Sequence, residues 1–189
     1  MKRPPRPRNQ PLLDRGLLWR AFWLGMIEAV LCFTGFLSIF ILSGHTAEIG
    51  LAFLAPLASL VDFRLSLSFE QAMILAATVY HAGVVASQVG NALACRSDRT
   101  RSSALGWLSN KYLWIGIFIE LLGIVSIIYI PFLADIFNHA PLSAWMWFAL
   151  ALNPIILYSV EWIRKAIARG FKKIRNGKSS PLSLQEVVR

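Results

Sequence analysis

Acidic charge is scarce in this chain. Ten Asp and Glu stand against nineteen Lys and Arg among 189 residues, and charged residues of both signs make up only 15%. Soluble domains carry about 25%, so composition argues against an ordinary soluble domain. The 56% hydrophobic content and mean hydropathy of +0.56 point the same way. Cysteine is nearly missing. Cys32 falls inside one apolar run and Cys95 at the end of another, which gives neither a disulfide framework nor a thiolate metal site. No phosphate-binding glycine loop, Ser/His/Asp arrangement or metal cluster is present, so this chain alone should hydrolyse nothing. No internal repeat is visible.

What the chain does have is apolar length. A helix needs about 20 apolar residues to cross about 30 Å of hydrocarbon. Spans are predicted at 18–42, 69–94, 112–132 and 144–163, giving an all-α, polytopic membrane protein with four transmembrane helices. The third stops at Pro131, before the turn ADIFNHAPLS, and the fourth is interrupted at Asn153-Pro154, where the missing N–H frees a carbonyl. Residues 76–95 are half Ala, Gly, Ser or Thr. Small residues let helices approach closely, so the second span belongs inside the bundle rather than in lipid. The apolar stretch 50–61 is too short to span and is broken by Pro56; it is expected at the interface or packed on the bundle.

The basic residues are not spread evenly. Six Lys/Arg lie in 1–20, four in 96–111 and eight in 164–189, with only Arg64 elsewhere. These groups flank the spans on one side, which predicts an N-in/C-in orientation rather than nucleic-acid binding. The leading sequence is basic and then apolar, as in a signal peptide, but its apolar run is too long and lacks a cleavage site. Residues 1–17 are expected to be a cytoplasmic Pro/Arg-rich linker, 18–169 the transmembrane domain and 170–189 a basic, polar cytoplasmic tail. The expected location is a prokaryotic inner membrane, with multiple passes and the lipid bilayer as first partner.

Several polar side chains fall within the spans. Glu28 and Glu120 are intramembrane acids, costly unless they face the bundle, are protonated or have a partner. An ion ligand or proton carrier would need such groups, but we read both as structural hydrogen-bonding residues. His81, Gln88, Asn91 and Cys95 are spaced 7, 3 and 4 apart and share one stripe of the second span. His81 is read as structural. The amide oxygens of Gln88 and Asn91 suit a dehydrated hard cation and equally suit helix–helix hydrogen bonding. Spacing leaves both readings open.

VASQVGNALACRSDRTRS (Val85 to Ser102) resembles the end of the eighth membrane helix of P-type cation-transporting ATPases and the loop beyond it. In the same order, Met1–Ala29 is similar to the approach to the family's seventh helix, Leu108–Ser143 to the ninth helix and its turn, and EWIRKAIAR (Glu161 to Arg169) to the closing block. The resemblance implies the C-terminal membrane domain, helices seven to ten, of such a pump. Gln88 matches a position that is a Glu ligand in calcium pumps and Gln in sodium/potassium pumps; Asn91 matches an acid linked to a sodium site. Both are therefore candidate cation-site residues. The family's phosphorylation sequence DKTGT, its nucleotide and actuator domains and its fourth to sixth helices have no counterpart here. The resemblance thus implies a domain inactive alone, whether a fragment, a split-pump subunit or a frame read from an internal start. Its partners would be the catalytic and core membrane part of the pump and the transported cation. ATP and Mg would be needed only by a complete pump, with no cofactor in this chain. The rival expectation is a stand-alone accessory or regulatory subunit of a pump.

Overall fold

The computed structural model describes residues 15–60, 63–95 and 110–178. Most of the Pro/Arg lead, the arginine burst after Cys95 and the end of the tail lie outside the described residues. Within them the chain is all-helical, with no strand. The long helices are α1 (Arg15–Ser43), α2 (Phe69–Ala94), α3 (Lys111–Tyr129) and α6 (Leu152–Lys178). Two short ones, α4 (Pro131–Phe137) and α5 (Ala144–Leu150), precede α6. Four segments are long and apolar enough to cross a membrane: 15–43, 69–94, 111–129 and 144–168.

Local chemistry sets the boundaries. Ser68 caps α2 by a reciprocal box: its Oγ accepts from Gln71 N–H at 3.3 Å, and Ser68 N–H donates to Gln71 Oε1 at 3.0 Å. Asn110 caps α3 by accepting from Leu113 N–H at 3.2 Å. α1 ends at Gly44, whose φ of +80° suits a residue without a Cβ, and His45 N–H reaches back to the Phe40 carbonyl at 3.1 Å. Pro131 ends α3 but opens α4, at a first-turn position where a missing N–H costs nothing. The expected turn over 134–143 is therefore helical up to Phe137.

The interruption of the last span is displaced from the predicted site. α5 stops at Leu150 with Ala151 as its cap, and Asn153-Pro154 lies in the first turn of α6. Pro154 has no N–H for the Leu150 carbonyl four residues before it, so the helix breaks one residue after Leu150, at Ala151. α1 also begins at Arg15, inside the stretch expected to be linker. Residues 52–60 form a 3-10 helix against α1 that buries only Ala58 and leaves Phe53 and Leu60 exposed.

α2 is the centre of the bundle and touches α1, α3, α5 and α6. Half of its most apolar window is buried, against 17–28% for the other spans. The core gathers Phe40 and Ile39 of α1, Ala76 and Val79 of α2, Ile128 of α3 and Met146 of α5. Small residues make this packing possible. A Cβ on Gly90 would lie 2.7 Å from Pro154 Cα and 2.9 Å from its carbonyl oxygen, so only glycine lets α6 come this close.

Candidate functional site

The polar residues of the second span do not form one site. Helical spacing puts them on one face, but their partners lie at different depths. The structure divides the stripe into two clusters and leaves Cys95 exposed at the α2 C-cap.

The first cluster joins α2 to α1 around Glu28. Gln88 Nε2 donates to Glu28 Oε1 at 3.1 Å, and Asn91 Nδ2 donates to Glu28 Oε2 at 2.6 Å. An ionised carboxylate only accepts, so both amides turn their nitrogens to it. This leaves Asn91 Oδ1 buried with no donor among the described residues, and buried polar atoms are rarely left so. Gln88 is exposed on the surface of this chain, although it sits within a span. A carboxylate, two amides and an unsatisfied oxygen thus meet within the span, in the last turns of α2, on one side of the α1–α2 contact. The arrangement can present oxygen to a cation if the amides rotate.

Sequence reasoning placed Gln88 and Asn91 as a pair but did not connect them to Glu28. The separation of 60 and 63 positions leaves no local pattern to find. Glu120, the other intramembrane acid, is half-buried on α3 and makes no hydrogen bond or ion pair among the described residues. Asn153 is buried at the start of α6.

The second cluster joins His81, at the middle of α2, to the α4–α5 connection, where its Nδ1 lies 2.8 Å from His139 Nε2. A third polar group lies near the far end of α2. Glu161 and Lys165, 3% and 5% exposed, face α2 from α6. Arg164 binds Glu161 through two hydrogen bonds of 2.6 Å, Lys165 Nζ is 3.4 Å from Glu161 Oε1, and Lys165 donates to the Ala94 carbonyl at 2.6 Å. A cation on the last carbonyls of a helix also meets the negative end of its dipole. This gives EWIRK a physical role, as a clamp of α6 on the C-terminus of α2. Cys32 and Cys95 are not disulfide-bonded; buried Cys32 contacts Ser87 Oγ at 3.8 Å. Among the described residues no group of three His, Cys, Asp or Glu could hold a metal ion.

Comparison with known proteins adds the context. The family described as "Cation transporting ATPase, C-terminus" matches residues 1–167. The chain is also 23% identical over 176 residues to "Calcium-transporting ATPase 1" of Yarrowia lipolytica (strain CLIB 122 / E 150). The alignment covers 93% of this chain and 16% of that protein, so the chain spans about a sixth of its relative's length.

Proposed function

The chain belongs to the C-terminal family of cation-transporting ATPases, and from that premise we propose that it buttresses the ion-binding membrane core of such a pump. It is the C-terminal transmembrane domain of a cation-transporting ATPase, an all-helical, multi-pass membrane unit. The family match runs through nearly the whole described bundle, which disfavours a stand-alone accessory subunit.

One observation carries the proposed role. Gln88 is exposed at membrane depth, beside Glu28 and the unsatisfied oxygen of Asn91. An amide facing lipid leaves hydrogen bonds unmade, and intramembrane polar groups face protein or a wet cavity. This side of α1 and α2 therefore faces the core helices of the pump. Gln88 and Asn91 stand near the cation there, with Glu28 setting the direction of both amides. The relative's name makes calcium the first cation to test. The basic groups at 1–20, 96–111 and 164–189 support the N-in/C-in orientation. ATP and Mg act only in the complete pump. The relative's source, a yeast, lends no support to a prokaryotic inner membrane.

The test compares this chain alone with a complete pump that carries it. The purified chain should form no phosphoenzyme and move no cation. The complete pump should do both, and should lose assembly when this domain is deleted. Transport by the chain alone would overturn the reading.

A further inference from the structure

The three histidines of the chain make two separate contacts: His45 in the α1–α2 connection, and His139 of the α4–α5 connection with His81 at the middle of α2. None belongs to the Glu28 cluster. His45, just beyond α1, faces acceptors with both ring nitrogens. Nδ1 is 2.7 Å from Glu48 Oε1, and Nε2 is 2.8 Å from the Leu67 carbonyl oxygen. A carbonyl and an ionised carboxylate give no proton, so both nitrogens carry hydrogen and the ring is imidazolium. The Leu67 carbonyl first, then Glu48, push the His45 pKa above its ordinary value. This staple closes the connection between α1 and α2, which Leu65 N–H also ties to the Leu42 carbonyl at 3.0 Å.

The second contact has the opposite requirement. His139 Nδ1 donates to the Phe137 carbonyl at 2.6 Å, which leaves its Nε2 as a bare lone pair. His81 Nδ1 supplies the one proton of the 2.8 Å bond between the rings. A first added proton can go to His81 Nε2 without harm. A second must go to His139 Nε2, and two N–H groups would then face each other. The turn is seated beside this bond by Ala140 N–H, which donates to Thr78 Oγ1 at 3.0 Å. No third metal-ligating side chain joins the pair among the described residues, so a proton bridge accounts for it better than a metal.

We infer that these contacts are two proton-operated latches of opposite sign: acid frees the 138–143 turn from α2, and alkali frees the 44–68 connection. Glu48 is the charged group that faces His45, and His139 the titratable group that faces His81. Asp135 on α4, Glu70 on α2 and Arg64 in the connection make no hydrogen bond or ion pair to these rings among the described residues. His45 is more easily protonated folded than unfolded, so its contribution is complete below the ordinary histidine pKa and is lost as pH rises through the raised value. The paired rings share one bridging proton, so a second proton at the contact would set two N–H groups against each other and end the bond.

The inference does not depend on the pump reading and can be tested on the full chain in lipid nanodiscs. The measurement is hydrogen exchange of segments 63–68 and 138–143, corrected for intrinsic rates. As pH falls from about 7 through and below the range in which an isolated histidine titrates, protection of 138–143 should fall about tenfold while 63–68 holds. Towards about pH 9 the two segments should exchange roles. His139→Gln should abolish the acid response and keep the alkaline one; His45→Gln should do the reverse. If His139→Gln does not fold, His45→Gln in the intact pair still decides the alkaline arm. Equal responses of the two segments, or an acid response that survives His139→Gln, would overturn the inference.

Discussion

α2 and α3 are both membrane spans, but they follow opposite rules. α3 is the more apolar and the less buried, with 17% of its most apolar window inside the protein; α2 is less apolar and 50% buried. In water the more apolar helix would seek the interior. In a bilayer the solvent is itself apolar, so hydrophobicity marks the outside, while small and polar residues mark the contacts. Phe118, Ile119 and Leu122 of α3 are exposed, whereas Ala76, Thr78, Ala82 and Ser87 of α2 are buried.

The sharpest test of this contrast pairs Glu161, whose cluster clamps α6 to α2, with Glu120 on α3. Glu161→Ala leaves the buried Lys165 without its carboxylate and should cost about 3–5 kcal/mol. Glu120→Ala, which breaks no bond, should stay within about 0.5 kcal/mol. Unfolding in detergent micelles measures both, and a large loss at Glu120 would break the contrast. Glycines give the next step. Gly90→Val forces α6 off α2 and should cost about 1–3 kcal/mol or more. A Cβ at Gly123 of α3 meets nothing within 4 Å, so Gly123→Val should be near neutral. A Gly90→Val protein as stable as wild type would show that α2 and α6 do not pack as closely as described.

A smaller effect belongs to the α1–α2 seam. A double-mutant cycle of Glu28→Gln with Asn91→Ala should give a coupling of about 0.6 kcal/mol, up to about 1.7, as for other membrane hydrogen bonds. Zero coupling would mean that the 2.6 Å contact contributes nothing. Smallest of all, Phe118→Leu on the outer face of α3 should change stability by less than about 0.5 kcal/mol.

Much of the bundle was legible because membrane thickness and residue size act locally. The second span is predicted at 69–94 and found at Phe69–Ala94, and its small residues foretold its interior place. Contacts between distant residues were not legible. Lys165 binds the backbone carbonyl of Ala94, an acceptor that every residue carries. His139 meets His81 across 58 positions, with no periodicity to announce it. His45 left a weak signal in its spacing from Glu48, but the Leu67 carbonyl that completes the staple left none. The break of the last span was legible at Pro154, but it falls at Ala151, because the bond that proline removes is the one to the Leu150 carbonyl four residues earlier.

The Glu28–Gln88–Asn91 seam is proposed to face the cation-binding core of a pump. The most direct measurement is the cation dependence of phosphoenzyme formation in a complete pump carrying this domain, wild type against Asn91→Ala and Gln88→Ala. Both variants should express and assemble normally, with half-maximal cation concentration shifted by about tenfold, or about 1.4 kcal/mol. Unchanged cation dependence in both variants, with normal assembly, would contradict it and leave the seam a packing contact alone.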